Sequence, residues 1–203
     1  MTEDRSLTPL RDKSVLRKHY QRVRNDFAAT PEAKAACAQL VTHLRKVLPN
    51  KAGLCASYLN KSGEASLEDF HRQPEGWQLA VPRVDGDDLD FFLFDSEADM
   101  PVNRWGIREP RPEGSQAVDL SQCQVVLVPG VAFDIFGHRL VHGRGFYDRA
   151  LAKYSGLKVG VAFEVQIDEK PLPADSHDVV MDWIVTEKRT IQTQPAAGVE
   201  RMV

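Results

Sequence analysis

Residues 125–133, VVLVPGVAF, are apolar at odd and even positions alike. A strand with one wet face alternates apolar and polar side chains, so this run predicts a strand buried on both faces, as in a parallel sheet covered by helices. KVGVAF at 158–163 reads the same way, and WIVTEK at 183–188 reads as a last strand. Between such runs lie helical patterns. Leu16, Tyr20, Val23 and Phe27 form one stripe over 12–28, and Cys37, Leu40, Val41, Leu44 and Leu48 form another, which Thr30 as cap and Pro31 as first residue should start. A strand at 53–59, a short helix beginning at Ser66, and a hairpin of QLAVPRV and LDFFLF across DGDD complete the first half. Residues 96–120 are rich in proline and charge and read as a long excursion.

These signals predict one α/β domain: a mostly parallel sheet flanked by helices in a Rossmann-like three-layer arrangement, with loose tails at 1–10 and 192–203. A chain of 203 residues suits one substantial core. Lys and Arg number 26 against 29 Asp and Glu, and that balance argues against a nucleic-acid binder. No apolar stretch approaches the roughly 18–20 residues that span a bilayer, and the N-terminus is polar rather than signal-like. Cys37, Cys55 and Cys123 lack metal-type spacing and read as buried free thiols of a reducing compartment, so a cytoplasmic protein is expected.

The apolar run leads into GHRLVHGRGFYDRAL at 137–151, a glycine-rich loop that feeds a helix. In open α/β sheets ligands bind where strands end in such loops. Gly143 and Gly145 would let backbone amides approach an anion, the helix adds its positive end, and Arg139 and Arg144 add fork-shaped cations. Neither usual nucleotide motif is present, so an anion pocket and a purely structural turn both remain open. Asp148 fits a magnesium ligand that bridges to phosphates, or a helix N-terminal acid paired with Arg149. Asp178, in DSHDVVMD, would close the metal site if its loop folds back. Lys13, Arg17 and Arg24 share one flank of the first helix, which by itself is a solvated basic face. An Asp134–His142–Ser155 triad can be drawn, but no nucleophile elbow supports it.

VPGVAFDIFGHRLVHGRGFYDRAL, with KVGVAFEVQ, LPADSHDVVMD, IVTEK, KSVLR, SYLNKSGEAS, VPRV and NRWGIREP in order along the chain, resembles the 5-formyltetrahydrofolate cyclo-ligase family, also called methenyltetrahydrofolate synthetase. The resemblance implies that Lys13 and Arg17 meet ATP phosphates. It implies that Arg139, Leu140, Val141, His142, Gly143, Arg144, Gly145, Phe146 and Tyr147 wrap the nucleotide, with Arg139 and Arg144 carrying catalysis. His142 through Phe146 would also reach the folate, as would Leu59, Glu64 and Trp105. Glu64 is otherwise a plain loop acid, and Trp105 is either an aromatic wall or a core anchor. Asp148 and Asp178 would bind Mg2+. Val141 stands where the family has glycine and Phe146 where tyrosine is common. Since a β-branched residue disfavours positive φ, Val141 is expected to narrow backbone access to phosphate.

The implied reaction is ATP- and magnesium-dependent closure of 5-formyltetrahydrofolate to 5,10-methenyltetrahydrofolate by a monomer. The alternative is a diverged member that binds a folate-like or nucleotide ligand without turnover, and a remoter one is RNA binding through the Arg/Gly/aromatic loop.

Overall fold

The computed structural model describes residues 12–96, 100–103, 106–111, 113–141 and 143–193. In chain order these form α1 (Lys13–Ala28), α2 (Glu32–Val47), β1 (Leu54–Ala56), α3 (Glu68–Arg72), β2 (Gln78–Asp85), β3 (Asp88–Phe94) and β4 (Ala117–Val118). There follow β5 (Val125–Pro129), β6 (Ala132–Asp134), β7 (Arg139–Leu140), α4 (Phe146–Leu151), β8 (Leu157–Val161), β9 (Ile167–Asp168), β10 (Trp183–Val185) and β11 (Thr190–Gln192). The main sheet has the order β11-β10-β8-β5-β1-β2-β3-β4. Its centre, β10 to β2, is parallel, while β11, β3 and β4 are antiparallel edges.

β5 has the two-sided burial expected of it. Val125 and Leu127 enter the core beneath α2, whereas Val126 and Val128 enter the opposite core with Leu151 of α4. This makes the three layers. The continuous run does not continue as one strand, however: after Pro129 and Gly130 the chain leaves the main sheet, and β6 joins a second sheet of order β7-β6-β9. Proline has no amide to extend the ladder, which makes this a natural exit. Tyr20 of α1 packs on that small sheet with Val131, Ala132, Leu140 and Leu172. α1 therefore sits directly behind the strand pair from which the glycine loop springs.

Three local expectations differ. Thr30 does not cap α2; its hydroxyl donates to the Phe27 carbonyl at 2.7 Å, closing α1 instead, and Pro31 occupies the cap position without a side-chain bond. The last carbonyls of a helix have no partner within it, and this hydroxyl satisfies one of them. The basic flank of α1 is not wholly solvated either, because Arg24 is 2% exposed and turned inward. β11 adds a short edge strand beyond the one expected last, and Thr193 after it is buried, its hydroxyl donating to the Met181 and Asp182 carbonyls. Residues 1–10 and 194–203 of the expected tails lie outside the described residues. No helix among the described residues is long and apolar enough to cross a membrane, and Cys37, Cys55 and Cys123 are free thiols.

Candidate active site

A cavity of about 410 Å³ opens where the parallel strands end. Tyr58, Leu59, Lys61 and Glu64 line it from the β1–α3 loop, Pro82, Val84 and Leu89 from the hairpin, and Ile107 and Glu109 from the long excursion. Pro129, Gly130 and Val131, where the chain changes sheets, form its floor with Arg139, Val141 and Arg144–Asp148. Leu59 and Glu64 thus share one enclosure with the glycine loop, although about 75 residues separate them in the sequence.

The loop's conformation follows from its glycines. Gly143 has φ +104° and Gly145 φ +62°, backbone regions that L side chains rarely adopt. Gly145 caps α4 in the left-handed conformation and turns the Phe146–Asp148 segment into the cavity wall. Val141 is not strained: among the described residues, only Glu75 is a non-glycine with positive φ. The positive φ angles fall at 143 and 145, so a β-branched residue at 141 meets no backbone strain.

Arg139 is buried, and its Nη2 donates to Asp148 Oδ1 at 2.9 Å while Nη1 donates to the Pro129 carbonyl at 3.1 Å. Its guanidinium carbon lies 5.5 Å from the centre of the Tyr147 ring. Asp148 therefore pairs with Arg139 and not with Arg149, whose guanidinium donates to the Arg144 and Asp87 carbonyls. Arg144 is exposed at the cavity rim, and Phe146 lies under Arg149. Leu140 packs in the core with Tyr20, away from the cavity. Trp105 and His142 lie outside the described residues.

Lys13, Arg17 and Asp178 do not line the cavity; Lys13 and Asp178 belong to a second cluster, and Arg17 reaches the loop. Arg17 Nε donates to the Val141 carbonyl at 2.6 Å, tying α1 to the loop. Lys13 Nζ donates to Asp175 Oδ2 at 2.6 Å and to Asp178 Oδ2 at 3.1 Å. Burial works to lower the pKa of that ammonium, but the two carboxylates outweigh it and hold it above its ordinary value. Asp175, His177 and Asp178 bring one ligand atom each within 4.8 Å of one another, a hard oxygen-rich set that suits magnesium in its two carboxylates. Asp148 is not a member of this group. Asp175 and Asp178 thus offer carboxylates of the type that holds magnesium, both paired here with the Lys13 ammonium, while Asp148 has one oxygen committed to Arg139.

Some site residues escaped the sequence reading. Asp175 precedes Asp178 by three positions in DSHD, a visible pair of acids. Lys61 precedes Glu64 by three and lies 3.6 Å from its carboxylate. Burial pushes the Glu64 carboxyl above its ordinary range, against the nearby Lys61 and Arg24. The Tyr147 hydroxyl is buried without a hydrogen-bond partner among the described residues, a donor left for a ligand. Beneath the loop, Asp134 pairs with His138 at 2.9 Å, and the triad's His142 lies outside the described residues.

The sequence matches the 5-formyltetrahydrofolate cyclo-ligase family over residues 9–187. It is 30% identical over 175 residues to the 5-formyltetrahydrofolate cyclo-ligase of Escherichia coli K12, covering 80% of this chain and 94% of that one. A probable 5-formyltetrahydrofolate cyclo-ligase of Schizosaccharomyces pombe is 32% identical over 133 residues, a match covering 58% of this chain and 65% of that relative's length. The solution structure of Aquifex aeolicus 5,10-methenyltetrahydrofolate synthetase superimposes with a TM-score of 0.75 at 33% identity, covering 94% of this chain and 97% of that one. Its parallel sheet, its glycine loop and its match over nearly the whole length place the chain in the 5-formyltetrahydrofolate cyclo-ligase family of enzymes.

Proposed function

We propose that the protein closes 5-formyltetrahydrofolate to 5,10-methenyltetrahydrofolate, converting ATP to ADP and phosphate. The observation that carries this reading is the single cavity joining Leu59 and Glu64 to the Arg139–Asp148 loop, in a chain of this family. A formamide carbon is a poor electrophile and its oxygen a poor leaving group. Transfer of the terminal phosphoryl group to the formyl oxygen remedies both: nitrogen-10 then attacks the carbon, the C–O bond breaks, and phosphate departs.

Each group has a part in this scheme. Arg139 and Arg144 offset charge on the transferring phosphoryl group, and Lys13 and Arg17 hold the nucleotide behind the loop. Gly143 and Gly145 let backbone amides meet phosphate oxygens, and Tyr147 and Phe146 wall off the reacting centre. Glu64 accepts from the N–H edge of the pterin, with Leu59 packing on the ring. Asp178, with Asp175, is the proposed holder of Mg2+, which would neutralise phosphate charge when bound. The cavity's positioning of nitrogen-10 against the activated carbon supplies the remainder.

The test is direct. Purified protein with 5-formyltetrahydrofolate, ATP and magnesium should generate methenyltetrahydrofolate absorbance; no product above a heat-killed control would refute the activity. In the same assay Asp178→Asn is expected to raise the magnesium needed for half-maximal rate about tenfold, the loss of one charge-assisted ligand, while leaving the KM for folate unchanged. Equal loss of magnesium and folate affinity would make Asp178 structural.

A further inference from the structure

Arg24 is among the most deeply buried charges of the protein, at 2% exposure, and nothing assigned so far uses it. A guanidinium carries five N–H donors, and a buried one retained for stability should be well bonded. Arg24 is not. Nη1 reaches the Gly130 carbonyl and Nη2 the Asn25 side chain, each at 3.4 Å, and Nε is buried with no partner among the described residues. Its charged counterpart is Glu64, whose Oε1 lies 3.7 Å from Nη1. Arg24 is absent from the cavity lining, whereas Glu64 and Gly130 both belong to it. The guanidinium thus stands one layer behind the wall and touches it from two different loops.

We infer that Arg24 is a positioning residue for substrate recognition, holding the Glu64 carboxylate at the cavity wall where the N–H edge of the pterin meets it. The inference rests on the assignment of this cavity to the reduced folate. Around Glu64 stand Arg24 from α1, Lys61 from its own loop, Tyr58 after β1, and Tyr147 from α4. Tyr58 donates to the Ala65 carbonyl, so it does not serve Glu64. Lys61 lies 3.6 Å from the carboxylate and its amide donates to Glu64 at 3.2 Å, but its side chain is 28% exposed, whereas Arg24 approaches at 3.7 Å from the buried side. Burial favours the neutral carboxyl of Glu64; the Lys61 ammonium and amide oppose it first, and Arg24 adds to them from the buried side. A neutral carboxyl would present a hydroxyl to a pterin edge that also donates. Without Arg24, Glu64 would keep its proton to higher pH and bind folate more weakly.

The experiment is a kinetic cycle on the full chain with Arg24→Met, Arg24→Lys, Glu64→Gln and the double variant Arg24→Met/Glu64→Gln. Arg24→Met should raise the KM for 5-formyltetrahydrofolate about tenfold, as expected for weakening one charge-assisted contact, with the KM for ATP within about twofold of wild type. The acid limb of kcat/KM for folate should move to higher pH in Arg24→Met and return towards wild type in Arg24→Lys. In the Glu64→Gln background, Arg24→Met should add little. An acid limb that stays in place, or an Arg24→Met loss undiminished by Glu64→Gln, overturns the inference alone. A Glu64→Gln variant with normal folate KM overturns the cavity assignment together with it. If Arg24→Met fails to fold, Arg24→Gln, neutral but polar, takes its place: its acid limb should move to higher pH, and an unchanged limb counts against the inference.

Discussion

Arg139→Met is expected to lower kcat by about 10²–10³-fold, the loss seen when one preorganised donor is removed from a developing oxyanion. The geometry explains why lysine, or a water, should not substitute. Both Nη atoms are committed, one to Pro129 and one to Asp148, so the guanidinium is held with its face to the Tyr147 ring and its fork at the cavity floor. Such a donor needs no reorganisation when charge moves. The variant also leaves Asp148 as a buried carboxylate without its partner, which should cost about 3 kcal/mol of stability. Arg139→Met combined with Asp148→Asn removes both charges and should recover much of that stability without recovering kcat. Steady-state kinetics and urea unfolding on the two variants separate the effects. A kcat unchanged in Arg139→Met would remove this residue from the chemistry.

Asp134→Ala should destabilise the protein by about 3 kcal/mol or more, among the larger single-residue effects outside the site. Its carboxylate is fully buried and accepts from the amides of Phe136, His138 and Leu172 and from His138 Nδ1. These bonds fold the β6–β7 turn, and Arg139 is the next residue after His138. The hydrogen bond to Asp134 raises the His138 pKa above its ordinary value, burial opposing it. A raised folded-state pKa stabilises the protein fully below the unfolded value of about 6.5 and loses that contribution as pH rises through the folded one. Wild-type stability should therefore decline as pH rises from about 6.5, and Asp134→Asn should flatten the decline. Urea midpoints measured at several pH values give the answer. A slope identical in both proteins would show that the pair contributes nothing to pH-dependent stability.

Much of the architecture is legible in the sequence. Two-sided apolar runs belong to central parallel strands, and the helical stripes of α1 and α2 recur at their predicted places because burial periodicity is a local property. The exit to the second sheet at Gly130 was visible only as a break, since strand pairing is a long-range choice. Thr30 shows the same limit on a small scale: a hydroxyl between two helices can serve either one, and distances of a few ångströms decide.

The site divides in the same way. Sequence alone determined which residues are chemically equipped: the glycines that permit the turn, the arginines, the acids, and the order of segments that marks the family. Folding alone decided their grouping. Leu59 and Glu64 meet the glycine loop across one cavity, while Lys13 pairs with Asp178 and Arg17 ties to the loop at Val141. Three cations on one helical flank are indistinguishable as letters, yet Arg17 reaches a loop carbonyl, Lys13 an acid pair, and Arg24 a buried glutamate. The physical reason is that side-chain type and local period are written in the chain, whereas burial and charge pairing depend on segments far apart in it, and only the packed structure sets which charge loses its water.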